Sequence, residues 1–156
     1  MHATACADRV ILRLTKASMA VTDIGFLLYW SVTLLALVPA QYAYKDYDNP
    51  VLSAWNYSFV PLDVAASVTG LAALRLSRRD GRAGRAGPSG RAGARPLMLV
   101  SLVLTSIAGL QAVAFWALRG DFTLSWWLPN LFLLLFPLPG AVLIIRQWAG
   151  RPRSDG

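Results

Sequence analysis

The stretch Leu52-Ser-Ala-Trp-Asn-Tyr-Ser-Phe-Val-Pro-Leu-Asp63-Val-Ala-Ala-Ser-Val-Thr-Gly-Leu-Ala-Ala-Leu74 holds one charged residue, Asp63, in 23 positions. A helix needs about 20 mainly apolar residues to cross the hydrocarbon of a bilayer. A charge near the centre of such a span costs about 2.5–3.5 kcal/mol on insertion scales, so it tends to point inward and to mark a site. On a helix, Asn56, Asp63, Ser67 and Gly70 share one narrow face, because offsets of 7, 11 and 14 residues nearly complete whole turns. Pro61 frees a backbone carbonyl just before the acid and loosens the helix there.

Three further stretches have the same character: residues 20–39, 97–118 and 123–145. The expected fold is therefore all-α, an integral membrane four-helix bundle formed by residues 20–145. Basic residues sort onto one side of it. Arg9, Arg13 and Lys16 precede the first span, seven arginines fall in the connector 75–96, and Arg146, Arg151 and Arg153 lie in the tail 146–156. The connectors on the other side, 40–51 and 119–122, are short or acidic. The positive-inside rule then puts both ends and the middle loop in the cytoplasm of a bacterial cell, with the bundle in the inner membrane. Residues 1–19 read as a polar N-terminal tail. Val38-Pro39-Ala40 loosely suggests a signal cleavage site, but the preceding stretch is long, carries Asp23, Tyr29 and Trp30, and leads into further spans.

Composition narrows the chemistry. The chain has 156 residues, 56% of them hydrophobic and only 15% charged, with six tryptophans and no glutamate. A net charge of +7 raises the question of nucleic acid. The arginines follow the loop rule instead and form no basic helix face, so nucleic-acid binding is not expected. Cys6 and His2, single residues of their kinds, both precede the first span, which leaves no disulfide framework, no metal site and no expected cofactor. No serine, histidine and acid set exists. Glycine at every third position of residues 81–93 reads as a flexible basic linker. Arg75, Arg78, Arg79, Arg82 and Arg85 are candidates for contact with anionic lipid headgroups, each contributing about 1 kcal/mol.

The candidate site is built from polar residues inside the spans. Asn56, Gln111 and Asn130 are expected at similar depth towards the outer face, near Trp116, Trp126 and Trp127, with Asp63 below them. No lysine or arginine occurs in any span at that depth. Three roles for Asp63 stay open: a hydrogen-bonded structural acid, a counter-charge for a cationic ligand, and a proton or sodium site. The tryptophans also fit an interfacial belt. Asp23 and Trp30 form a secondary candidate pair on the first span, with Thr22 and Asp23 read as the helix N-cap. Ser101, Thr105, Ala108 and Ala112 make a small-residue stripe that lets another helix approach closely. Arg119-Gly120-Asp121 reads as a tight turn.

Thr22-Asp-Ile-Gly-Phe-Leu-Leu-Tyr-Trp30, Tyr44-Lys-Asp-Tyr-Asp-Asn-Pro50, Ala54–Asp63 and Gly120–Asn130 together resemble the YvaD-like family of small bacterial membrane proteins. The resemblance runs from about Thr22 to Pro137, leaving out the glycine-arginine loop. It implies a four-span bacterial membrane protein and carries no biochemical activity with it. By architecture alone, the pattern is also similar to sterol-isomerase and emopamil-binding bundles, where acids beneath aromatics hold amine-like ligands; a shared fold does not establish function. The expected role is non-enzymatic binding or transport of a small cationic or lipid-like molecule. The alternatives are a structural subunit in a homo- or hetero-oligomer and a lipid-modifying enzyme acting through Asp63.

Overall fold

The computed structural model describes residues 2–82 and 90–150, with side chains over 6–79 and 93–150. The described residues form helices and no strand. In chain order these are α1 (His2–Leu34), α2 (Ala40–Ala43), α3 (Pro50–Tyr57), α4 (Val60–Arg82), α5 (Gly90–Leu118), α6 (Leu124–Leu135) and α7 (Pro137–Ala149). Four stretches are long and apolar enough to cross a membrane: Cys6–Leu34, Pro50–Arg79, Gly93–Leu118 and Leu124–Ala149.

Two spans are broken where proline predicts it. Pro61 has no N–H for the Tyr57 carbonyl, and between α3 and α4 the backbone tightens so that Phe59 N–H donates to Asn56 O at 3.2 Å. Helix α3 starts cleanly. Asn49 Oδ1 accepts from Val51 N and Leu52 N at 3.0 and 3.2 Å, and Pro50 fills the first position, where its missing N–H is no loss. Pro137 likewise opens α7 after a break at Phe136. Between α5 and α6, Gly120 adopts a φ of 68°, and Asp121 N–H closes back on Trp116 O at 3.0 Å. That left-handed glycine makes the tight turn expected at 119–121.

Helix α1 packs on α4 and α7, while α5 packs on α4, α6 and α7, so the four spans close into a ring. Register follows from the contacts. Trp30 meets Asp63, and seven residues down each helix Asp23 lies against Gly70. Small side chains allow these approaches. A Cβ on Gly109 would lie 2.5 Å from Leu134 N, and one on Gly140 would lie 2.5 Å from Thr15 Cγ2. One core cluster gathers Met19, Ala73, Leu74, Met98, Leu102 and Ile144, and another gathers Trp30, Phe59, Ala108 and Ala112 towards the opposite end. The outside is apolar. Val21, Leu28 and Leu128 are 73%, 62% and 64% exposed, a surface suited to lipid and ill suited to water.

Three boundary readings need correction. Helix α1 starts at His2, so the boundary expected at residue 20 lies inside a continuous helix, and Thr15 and Met19 are buried in the bundle. Asp23 is therefore no N-cap. It sits mid-helix at 1% exposure, because the residues before it have a packing face of their own. Arg75, Arg78 and Arg79 are exposed on the last turns of α4 and do not belong to a loop; α4 continues to Arg82, and α5 begins at Gly90. Arg85 and the side chain of Arg82 lie outside the described residues.

Candidate functional site

The half of the bundle beneath the 35–49 connector contains a cavity of about 160 Å³. Helix α1 brings Phe26, Tyr29 and Trp30 to it; α3 brings Trp55 and Asn56, the link after it Phe59, and α4 Asp63; α5 brings Ala108, Ala112 and Trp116; α6 brings Trp126, Asn130 and Leu133. Ala108 and Ala112 are the upper part of the small-residue stripe, and their lack of bulk leaves the space.

Aromatic rings form the walls. Trp55 stacks on Phe115 with centroids 3.9 Å apart and meets Trp116 edge-on at 5.9 Å. Trp116 in turn faces Trp126 at 6.1 Å. Interlocked rings of this kind contribute about 0.5–1.5 kcal/mol per pair beyond their burial and hold one another in fixed orientations.

Asp63 sits at the inner end, 5% exposed. Its Oδ2 accepts a hydrogen bond from Trp30 Nε1 at 2.8 Å, and among the described residues no lysine or arginine forms an ion pair with it. An indole N–H is a neutral donor, so it orients the carboxylate without balancing a charge. Ser67 Oγ donates to the Asp63 carbonyl at 2.7 Å and leaves the carboxylate alone. Towards the connector end, Trp116 Nε1 is a buried donor with no partner, and Asn56 Nδ2 is a buried donor with only a long contact to the Tyr29 hydroxyl.

Of the residues picked out in the sequence, Asp63, Asn56, Asn130, Trp116, Trp126 and Trp30 line this cavity. Two do not. Gln111 is exposed, because one residue of helix turns it about 100° from the inward-facing Ala112. Trp127 lies outside the lining; its Nε1 donates to Asp121 O at 2.7 Å and its ring stacks on Phe122, so it secures the α5–α6 turn. Asn130 Nδ2 is taken up locally by Trp126 O at 2.6 Å. Tyr29 and Phe59 were missed as lining residues. Neither segment read alone gives them, because the register between the first two spans is what puts Trp30 level with Asp63 and Tyr29 beside it.

Asp23 belongs to a separate buried cluster. Its Oδ2 and Ser101 Oγ both lack partners and crowd Gly70, whose missing side chain makes room for them. Among the described residues no group of three His, Cys, Asp or Glu side chains could hold a metal ion.

At the connector end of the bundle the charges pair off. Lys45 Nζ binds Asp121 Oδ2 and lies 5.0 Å from the centre of the Trp116 ring. Lys45, helped by Thr123, holds the exposed Asp121 carboxyl down at about 2. Arg119 stands 3.9 Å from Asp46 and 5.8 Å from the Trp116 ring.

The chain is 43% identical over 136 residues to the "Uncharacterized protein YvaD" of Bacillus subtilis (strain 168), a match that covers 87% of this chain and 95% of that one. No solved structure matches. Residues 15–149 fit the model of a "Family of unknown function (DUF5360)", a stretch that opens at Thr15, which packs against Gly140, and runs to the last residue of α7. With nearly all of the four-helix unit inside that match, the chain belongs to this family.

Proposed function

We propose that this multi-pass membrane protein binds a small cationic molecule in the aromatic cavity, with Asp63 as the counter-charge. One observation carries the reading: a carboxylate enclosed at the inner end of a ring-lined space, oriented by a neutral donor and, among the described residues, paired with no basic side chain. A cation entering that space would meet the acid at one end and indole faces along its sides. Each such face contributes up to about 2 kcal/mol when water is excluded. A dry engineered cavity of about 150 Å³ takes up benzene. The volume here, about 160 Å³, therefore suits a compact ligand.

The cavity lies at the end of the bundle away from Arg75, Arg78 and Arg79. By the positive-inside rule, we take that end to be the outer face, with both termini cytoplasmic and the arginines close to anionic headgroups. A second reading has its own support: the Trp30–Asp63 hydrogen bond also fits a purely structural polar pin between α1 and α4.

Tetramethylammonium titrated against the purified protein, followed by tryptophan fluorescence, separates the two. Saturable quenching that disappears in Asp63→Asn is the expected result. Lack of any saturable response in a folded wild-type protein would leave the structural pin as the better account.

A further inference from the structure

We propose that the ligand of this cavity is a zwitterion, with its ammonium end at Asp63 and a carboxylate end at Asn56 and Trp116. This rests on the cation-binding reading above and goes further by assigning the other end of the molecule.

Asn56 Nδ2 and Trp116 Nε1 are both buried in residues that line the cavity; Trp116 Nε1 has no partner, and Asn56 Nδ2 has only a long contact with the Tyr29 hydroxyl. An unpaired donor shut away from water is destabilising, and native structures rarely leave one without an acceptor. Both atoms donate only. A cation alone cannot satisfy them, because it brings no acceptor; the group that answers both is an oxygen with free lone pairs.

Position agrees with this. Asn56 lies on α3 and Asp63 on α4, seven residues further from the connector, so the amide sits nearer the connector end than the acid. Trp116 is at the same height, edge-on to Trp55. The side chains reach inward from both levels, so a compact molecule can span from the acid to the donors. The cavity is thus polarised, with an acceptor at its inner end and donors at its outer end.

The test uses three probes that share one trimethylammonium-type head: tetramethylammonium, choline and glycine betaine. Binding is measured on the full chain in lipid nanodiscs by tryptophan fluorescence and by the shift in thermal unfolding. Glycine betaine should bind at least about tenfold tighter than tetramethylammonium, as one charge-assisted hydrogen bond supplies. Choline should fall between them. Trp116→Phe removes the indole donor and Asn56→Leu removes the amide donor; either should erase most of the betaine advantage, read as the ratio of betaine to tetramethylammonium affinity within each variant. If tetramethylammonium binds and betaine binds equally or more weakly, the zwitterion inference fails and the cation reading stands. If betaine binds more tightly but neither variant reduces the gap, the assignment of these two donors is wrong. Binding of none of the three would overturn both readings together.

Discussion

Substituting Gly109→Ala tests the packing that shapes the cavity wall. An added Cβ would lie 2.5 Å from Leu134 N, 2.7 Å from Asn130 O and 2.9 Å from Leu133 C. Ordinary contact between heavy atoms begins near about 3.5 Å, so α6 would have to retreat by roughly 1 Å. All three obstacles are backbone atoms, and no rotamer change relieves them. Overpacking of this kind costs about 1–3 kcal/mol, and a backbone clash belongs at the upper end. Alanine recovers about 1 kcal/mol of helix propensity, which leaves a net loss of about 2 kcal/mol. Gly25→Ala is the matched control: Gly25 is also helical, and a Cβ there would have nothing within 4 Å. That variant should gain up to about 1 kcal/mol. At about 2–4 °C per kcal/mol for a chain of this size, the pair should separate by roughly 6–12 °C in thermal unfolding followed by tryptophan fluorescence. Equal midpoints would mean that α5 and α6 do not approach as described. Asn130 and Leu133 would then have no fixed place in the cavity.

Three further outcomes are expected. Gly70→Ala should destabilise by about 1–3 kcal/mol in the same assay, since a methyl group would strike the buried Asp23 carboxylate and lie 2.6 Å from Ser101 Oγ; Gly70→Ala with Asp23→Ala should recover much of the loss. Acid should release the 35–49 connector from the α5–α6 turn, because the Asp121 carboxyl is held below its usual value. The stabilisation it gives is complete above about pH 4, the ordinary aspartate range, and is lost as the pH falls through about 2. Hydrogen exchange of residues 40–49 should therefore accelerate between those values, and Asp121→Asn should show the faster rate already at neutral pH. Gln111→Leu should leave tetramethylammonium binding unchanged, because that side chain faces away from the cavity; a large loss of affinity would place it in the lining after all.

The spans were legible because bilayer thickness demands a long apolar run, and proline and glycine marked the breaks at 58–59, 136 and 120. Asp63 was legible for the same reason that it is costly, as a lone charge in such a run. What lay beyond reach depended on neighbours. Thr22 and Asp23 carry the residue types of a helix cap, yet tertiary packing of Thr15 and Met19 extends α1 past them and turns Asp23 into a buried acid. Gln111 and Ala112 differ by one position, and hydropathy alone does not say which of two adjacent residues faces the bundle. Trp127 and Trp126 pose the same problem: one holds a turn by its indole N–H and the other lines the cavity. The pairing of Trp30 with Asp63 needed the register between α1 and α4, a relation between segments that no single segment contains.

Cysteine labelling tests the account at its centre. In a Cys6→Ser background, Ala112→Cys and Gln111→Cys are treated with a trimethylammonium methanethiosulfonate reagent applied to the face bearing the 35–49 connector, with and without tetramethylammonium. Ala112→Cys should react, tetramethylammonium should protect it, and adding Asp63→Asn should slow the reaction; Gln111→Cys should show no protection. An inert Ala112→Cys, or one that reacts equally fast with and without tetramethylammonium, would contradict an accessible cation site above Asp63.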